Sequence, residues 1–123
     1  MEKMYQEYKS DAEFLLVYIR EAHPDSVLFV KKDGKEVLEK VKQTETFEER
    51  AETAQVCTTS LKLSIPTLVD KADNKVNQAY AAWPDRMAVV GVDGKIAYYG
   101  GPGPFGFKTN DVAQWLKKFR AAN

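Results

Sequence analysis

The sequence predicts an α/β fold in which a mixed sheet is flanked by helices. Residues 14–19 (FLLVYI) are continuously apolar, which is typical of a strand covered on both faces, and such strands occur mainly in α/β proteins. A helical pattern over residues 46–61 separates this run from a second short strand at residues 65–69. Two strands joined through a helix are expected to be parallel. The Asp93-Gly94 turn between two apolar stretches predicts a β-hairpin near the C-terminus.

The first third of the chain is expected to contain a helix, the first strand and a variable segment. Apolar side chains recur at helical spacing from the first residue, at Met1, Met4, Tyr5 and Tyr8. After the strand, residues 21–25 (EAHPD) form a turn, since a residue before proline disfavours helical backbone. Residues 27–42 fit two patterns: a hairpin around the KKDGKE turn, or a helical turn or two from residue 36 to residue 42.

The rest of the chain alternates helices with short strands. Thr46 followed by Glu49 is a capping box, and it predicts the start of a helix. Short elements follow: a helix over residues 75–81, hairpin strands over 87–92 and 95–99, and a last helix capped by Thr109. The first of the two longer helices should bury Phe47, Ala51, Ala54, Cys57 or Thr58, and Leu61; the last should bury Val112, Trp115, Leu116 and Phe119.

Composition excludes several classes of protein. Lys and Arg together number 18, as do Asp and Glu, so no broad basic field favours nucleic acid. The longest apolar run is far too short for a membrane span. One cysteine and one histidine exclude an internal disulfide and a zinc site built from this chain alone. We expect no metal and no cofactor, a cytoplasmic location, and one domain covering residues 1–123.

The order of elements is that of a thioredoxin-like fold whose first strand is missing. Such folds open on a strand before the first helix, whereas this pattern starts on the helix. The domain is therefore expected to be truncated at its N-terminus and to close with a β-hairpin followed by a helix.

Residues 15–25 and 65–107 resemble the iodothyronine deiodinase family of the thioredoxin superfamily, particularly its bacterial members. The most specific matches are EAHPD, AYAAWPDR and GGPGP. The family's catalytic selenocysteine or cysteine lies between the first strand and the first helix, a region that would precede Met1. Residues 26–43 do not match the family, and they form a predicted variable insertion.

The resemblance implies supporting catalytic roles for three residues. Glu21 and His23 would lie beside the missing nucleophile and handle protons, because imidazole can exchange a proton at neutral pH. Arg86 would stabilise a thiolate, a selenolate or an anionic group of the substrate. Pro84 occupies the place of a cis-proline that faces the nucleophile. The alternatives are a loop histidine bonded to backbone and a surface ion pair of Arg86 with Asp85 or a neighbouring acid.

Cys57 invites a redox interpretation as a nucleophile or a resolving thiol. Its place on the apolar face of a helix interior favours a small buried hydrophobe instead, because reactive thiols prefer helix N-termini or cationic neighbours. The position also does not match the family's nucleophile. A resolving role is the alternative interpretation.

Two functions are consistent with these patterns. The first is a deiodinase-like thiol or selenol redox domain for reductive deiodination or for peroxide or disulfide reduction, served by a thiol reductant or a thioredoxin-like system. Residues 1–123 alone would then be inactive, because they lack the nucleophile. The second is a non-catalytic, redoxin-derived binding or scaffold module, whose exposed sheet edge is covered either by a second copy, as a dimer, or by the segment of residues 27–42, as a rearranged sheet. Either function allows a small-molecule ligand and predicts neither nucleic-acid nor membrane binding.

Overall fold

The computed structural model describes all 123 residues and shows four helices and six strands. In chain order the elements are α1 (Glu2–Tyr8), β1 (Leu16–Tyr18), β2 (Val27–Lys32), β3 (Lys35–Lys40), α2 (Phe47–Ser60), β4 (Thr67–Val69), α3 (Lys75–Tyr80), β5 (Ala88–Val90), β6 (Ile96–Tyr99) and α4 (Thr109–Ala122). The α/β class is confirmed. None of the helices is long and apolar enough to span a bilayer.

The strands form three pairs. β1 and β4 are parallel, with Val17 opposite Leu68, as expected for two strands joined through a helix. β2 and β3 form an antiparallel hairpin, so the helical alternative for residues 36–42 is wrong. β5 and β6 form the predicted C-terminal hairpin, which carries an irregularity between Val89 and Val90.

The chain divides into two compact units. Unit 1 comprises Met1–Phe14 and Gln78–Asn123, and unit 2 comprises Leu15–Asn77. In unit 1, α1, α4 and the residue just before β5 contribute a buried apolar cluster of Met4, Tyr8, Met87, Val112 and Leu116. In unit 2, α2 packs against β2 and β4.

The predicted N-terminal cap is present in one of the two long helices, α2, and absent from the other, α4. Thr46 Oγ1 accepts from the Glu49 amide, and the Glu49 carboxylate accepts from the Thr46 amide, so α2 begins with the predicted capping box. The expected cap at Thr109 is wrong, because α4 follows Lys108 with no side-chain cap. Thr109 is the first helical residue.

The predicted inward face of α2 is only partly correct. Ala54 is buried and Cys57 is half-buried, whereas Phe47 and Leu61 are exposed. The side chain that α2 buries most deeply beside Ala54 is charged: Arg50, with 3% of its surface exposed. In α4, Val112 and Leu116 are buried as expected, and Trp115 stacks on Phe119.

The GGPGPFGF turn of unit 1 leaves β6 and leads into α4. A Cβ at position 106 would overlap the backbone of Gly101, which cannot move aside as a side chain could. The Gly103 amide donates to the Asp85 carbonyl at 2.9 Å, and a Cβ at position 103 would meet the Asp85 carboxylate. Glycine is therefore required in this turn for close backbone approach.

Candidate functional site

The turn after β1 holds the Glu21 carboxylate in a fixed position. Tyr18, the last residue of β1, donates its hydroxyl to Glu21 Oε2 at 2.5 Å. The other carboxylate oxygen, Oε1, accepts from the His23 backbone amide at 3.2 Å. Both oxygens of Glu21 therefore have a donor, one from the strand and one from the turn itself.

Gln43, which follows the β2–β3 hairpin in the chain, holds the same turn through two hydrogen bonds. The Glu21 amide donates to Gln43 Oε1 at 3.2 Å, and Gln43 Nε2 donates to the Glu21 carbonyl at 3.0 Å. A primary amide carries both N–H donors and an acceptor oxygen, so it can satisfy both backbone groups of a single residue. Sequence reasoning missed this role, because Gln43 lies in residues 26–43, for which the sequence predicts a variable insertion.

The His23 side chain is exposed. Its backbone is bonded within the turn, through its amide to Glu21 and through its carbonyl, which accepts from Ser26 at 3.2 Å. The imidazole itself makes no hydrogen bond or ion pair within the protein. Both ring nitrogens are therefore available to a ligand, whereas the alternative expected from the sequence was a ring bonded to backbone.

Cys57 lies beside the Tyr18 and Glu21 side chains. Burial is the main reason that the pKa of its thiol is raised; the neighbouring Tyr18 hydroxyl lowers that pKa, and the Glu21 carboxylate raises it. The pKa of Tyr18 is also raised, first by burial and then by its bond to Glu21. A raised pKa keeps the thiol protonated at neutral pH, which disfavours a nucleophilic role.

Arg86 and Pro84 belong to unit 1. Arg86 Nε donates to the Ala81 carbonyl at 2.8 Å, Nη1 donates to the Gly100 carbonyl, and the guanidinium lies 4.5 Å from the centre of the Tyr99 ring. The expected alternative, an ion pair with Asp85, is not formed. The Trp83–Pro84 bond is cis, which is the geometry that the resemblance implied.

The predicted site residues thus fall into two groups. Glu21 and His23 share one turn of unit 2 with Tyr18 and Cys57 as neighbours, and Arg86 and Pro84 are in unit 1. Their catalytic roles stay predictions. No group of three or more His, Cys, Asp or Glu side chains is placed to hold a metal ion.

A second polar cluster in unit 2, which sequence reasoning also missed, surrounds Arg50. Arg50 Nη1 donates to the carbonyls of Asp70 and Lys71 and to Asn74 Oδ1, at 3.1, 2.8 and 3.0 Å. The Asp70 carboxylate accepts from the amides of Val76 and Asn77 at the start of α3. Arg50 therefore ties α2 to the segment that leaves β4.

The fold and the Glu21 turn place this chain among α/β proteins with thioredoxin-like elements, and sequence comparison identifies the family. The model of the iodothyronine deiodinase family matches residues 1–120. The chain belongs to the iodothyronine deiodinase family.

Individual relatives agree with the family match. The chain is 38% identical over 118 residues to the type II iodothyronine deiodinase of Homo sapiens, an alignment that covers 94% of this chain and 42% of that protein. It is 33% identical over 119 residues to the thyroxine 5-deiodinase of Sparus aurata, covering 97% of this chain and 42% of that protein. The chain thus spans less than half the length of these relatives.

Proposed function

We propose that this chain is part of a deiodinase-like thiol or selenol redox protein, in which Glu21 and His23 handle protons. The observation that supports this most strongly is the Glu21 turn. It stands at the carboxyl end of the parallel strand β1, the end at which open α/β sheets usually bind ligands. There a carboxylate is held by Tyr18 and by backbone, next to an imidazole that has no partner in the protein.

The proposed reaction is reductive removal of iodine by a cysteine thiolate or a selenolate outside residues 1–123. The nucleophile attacks iodine, the electron pair of the carbon–iodine bond stays on carbon, and the carbon takes up a proton. Iodide leaves when a thiol reductant, or a thioredoxin-like system, reduces the sulfur–iodine or selenium–iodine bond. His23 is the proton donor, because imidazole exchanges protons near neutral pH, and Glu21 fixes the backbone that carries it.

Arg86 is proposed to stabilise the anion that forms in this reaction. Its Nε and Nη1 are occupied by two carbonyls, and Tyr99 lies against the guanidinium. These contacts fix the plane of the guanidinium while Nη2 makes no bond in the protein. A fixed donor loses less entropy on binding a charged group than a mobile one.

The experiment is a set of assays on the protein expressed from its complete reading frame. Release of iodide from an iodinated phenol, peroxide reduction and disulfide reduction are each measured with a thiol reductant present. We expect one of the three activities. His23→Ala should lower kcat about a hundredfold or more if the imidazole transfers the proton. Residues 1–123 assayed alone should be inactive.

Glu52→Gln is the matched control for Glu21→Gln. Glu52 is an exposed residue of α2, and neither substitution changes the size of the side chain much. Glu21→Gln should reduce kcat, and Glu52→Gln should leave it unchanged. Full activity in both His23→Ala and Arg86→Ala would show that the proposed roles are wrong.

A non-catalytic module remains the second candidate because the β2–β3 hairpin exposes apolar side chains. Phe29 and Leu38 face each other across the hairpin and are 62% and 61% exposed, and Val27 is also exposed. The hairpin pairs with no other strand. A homodimer formed through this face would disappear in Phe29→Lys on analytical ultracentrifugation, whereas a monomeric wild-type protein would contradict dimerisation through it.

A further inference from the structure

Arg50 is a buried cation without a counter-ion. Its side chain is bonded to three carbonyl-type oxygens and, through Nε, to Thr44 Oγ1 at 3.4 Å. All of these acceptors are neutral, and no carboxylate forms an ion pair with the guanidinium. Burial of a charge is costly unless an opposite charge or strong hydrogen bonds offset it. The neutral acceptors offset part of this cost, and a negatively charged acceptor at a remaining N–H would offset more of it.

One nitrogen of Arg50 is left to receive that anion. Nη2 makes no hydrogen bond within the protein. No buried side-chain nitrogen or oxygen in the structure lacks a partner, so Nη2 must be accessible from outside. Arg50 as a whole is only 3% exposed, which means that this access is confined to a narrow part of its surface.

Arg50 lines a cavity of about 340 Å³ within unit 2. This volume lies at the lower end of the range of about 300–1,000 Å³ for small-molecule sites. The cavity is lined by Arg20, Gln43, Thr44, Glu45, Arg50 and Asn74, together with Ala72. Two arginines thus face one carboxylate, and the Thr44 hydroxyl and the amide side chains add polar groups.

We propose that this cavity binds an oxyanion group, carboxylate or phosphate, between Arg50 and Arg20. Arg50 Nη2 donates to the oxyanion from the buried end, and Arg20 supplies the second positive charge at the rim. Guanidinium groups suit both anions, because their N–H groups match paired oxygens. Glu45 opposes binding, since its carboxylate lines the same space. The proposal needs no catalytic step and stands apart from the redox proposal.

The cavity also adjoins the Glu21 turn. Gln43 lines the cavity and holds both backbone groups of Glu21 through its side-chain amide. An anion bound beside Gln43 would therefore change the NMR chemical shifts of the Glu21 and His23 amides. This gives binding a signature in the turn as well as in the cavity.

The test is an NMR titration of residues 1–123 with sodium phosphate, sodium acetate and sodium chloride in turn. We expect saturable shifts of the Arg50 Nε–H signal and of the backbone amides of residues 43–45 and 72–74, with a dissociation constant on the order of millimolar. Tighter binding of phosphate than acetate assigns a phosphate ligand, and the reverse order assigns a carboxylate. Equal shifts with chloride would overturn the proposal.

Substitutions of two exposed residues that line the cavity should change the affinity for the anion in opposite directions. Arg20→Gln should weaken binding about threefold to fivefold, as for loss of one partly exposed charge, and Glu45→Gln should strengthen it by a similar factor. Lys117→Gln, an exposed substitution on α4 in unit 1, removes one positive charge elsewhere and should have no effect. Identical affinities in all three variants would show that the cavity is not the site. Arg50→Lys keeps the charge but loses the fork, and it should lose binding if it folds.

Discussion

The two units of the molecule are built around different kinds of interior. Unit 1 buries apolar side chains: Met4, Tyr8, Met87, Val112 and Leu116 form its cluster. Unit 2 buries only Val41, Ala54 and Ile65 among its apolar residues. All four buried polar or charged residues, Thr44, Arg50, Asp70 and Asn77, are in unit 2.

This difference implies different sensitivities. Apolar packing is non-directional and scales with the area removed from water, so unit 1 should respond mainly to lost volume. A buried polar network is stabilising only while each member has its partner. The stability of unit 2 should therefore respond to the loss of single hydrogen bonds. Its fixed donors and acceptors are also suited to binding or catalysis.

The largest effect is expected for Leu116→Ala in unit 1. Leu116 is 2% exposed at the centre of the apolar cluster, so truncation removes buried carbon atoms and leaves a cavity. The free energy of unfolding should fall by about 3 kcal/mol. Both tryptophans, Trp83 and Trp115, lie in unit 1, so urea unfolding followed by tryptophan fluorescence reports directly on this unit.

Lys117→Ala is the control for this substitution. It changes the next residue of the same helix, but the Lys117 side chain is exposed. We expect a change of less than about 0.5 kcal/mol. Equal losses of stability in both variants would show that the effect arises from the helix and not from the apolar cluster.

A smaller effect is expected for Arg50→Met in unit 2. Methionine is similarly long and unbranched but donates no hydrogen bond, so the Asp70 and Lys71 carbonyls and Asn74 Oδ1 lose their donor. The free energy of unfolding should fall by about 2 kcal/mol. Hydrogen exchange at the α2 amides measures it, because no tryptophan lies in unit 2.

Arg50→Lys separates the charge from the hydrogen-bond geometry. Lysine retains the positive charge but cannot reach several acceptors with a planar fork, so it should recover only part of the loss. If Arg50→Met instead stabilises the protein, the cost of burying the charge exceeds the value of its bonds. That result would remove the contrast between the two units.

Features that depend only on residues close together in the sequence could be predicted from it. The capping box of α2 depends on Thr46 and Glu49 alone, and the two Asp-Gly turns lie within the hairpins that they close. Among the site residues, the position of Glu21 and His23 in a turn after a strand follows from an apolar run ending near a proline. These signals span a few residues and need no tertiary contact.

Features that depend on distant partners could not be predicted. Arg50 is buried because carbonyls of residues 70 and 71 receive its hydrogen bonds, and nothing near Arg50 in the sequence indicates them. Gln43 clamps Glu21 across 22 positions. Helical periodicity placed Phe47 and Leu61 inward, yet both are exposed: Phe47 is the first residue of α2 and Leu61 follows its last.

The smallest effect concerns the Cys57 thiol, and it is seen in pH dependence. Burial raises the pKa of this thiol, so its contribution to stability is complete below the ordinary thiol pKa of about 8.5 and is lost as pH rises through the higher, folded value. Alkylation of Cys57 by iodoacetamide should therefore be slow at neutral pH. Its rate should begin to increase at a higher pH in the folded protein than in the urea-unfolded protein. Rapid labelling at neutral pH would contradict this and favour a redox role.

Tyr18→Phe sharpens the same measurement. The Tyr18 hydroxyl is the one group beside Cys57 that lowers the thiol pKa, whereas burial and the Glu21 carboxylate raise it. Its removal should move the labelling profile to still higher pH, although a smaller side chain gives the reagent more room. An increase in labelling rate at every pH would show that access, and not ionisation, controls this thiol in unit 2.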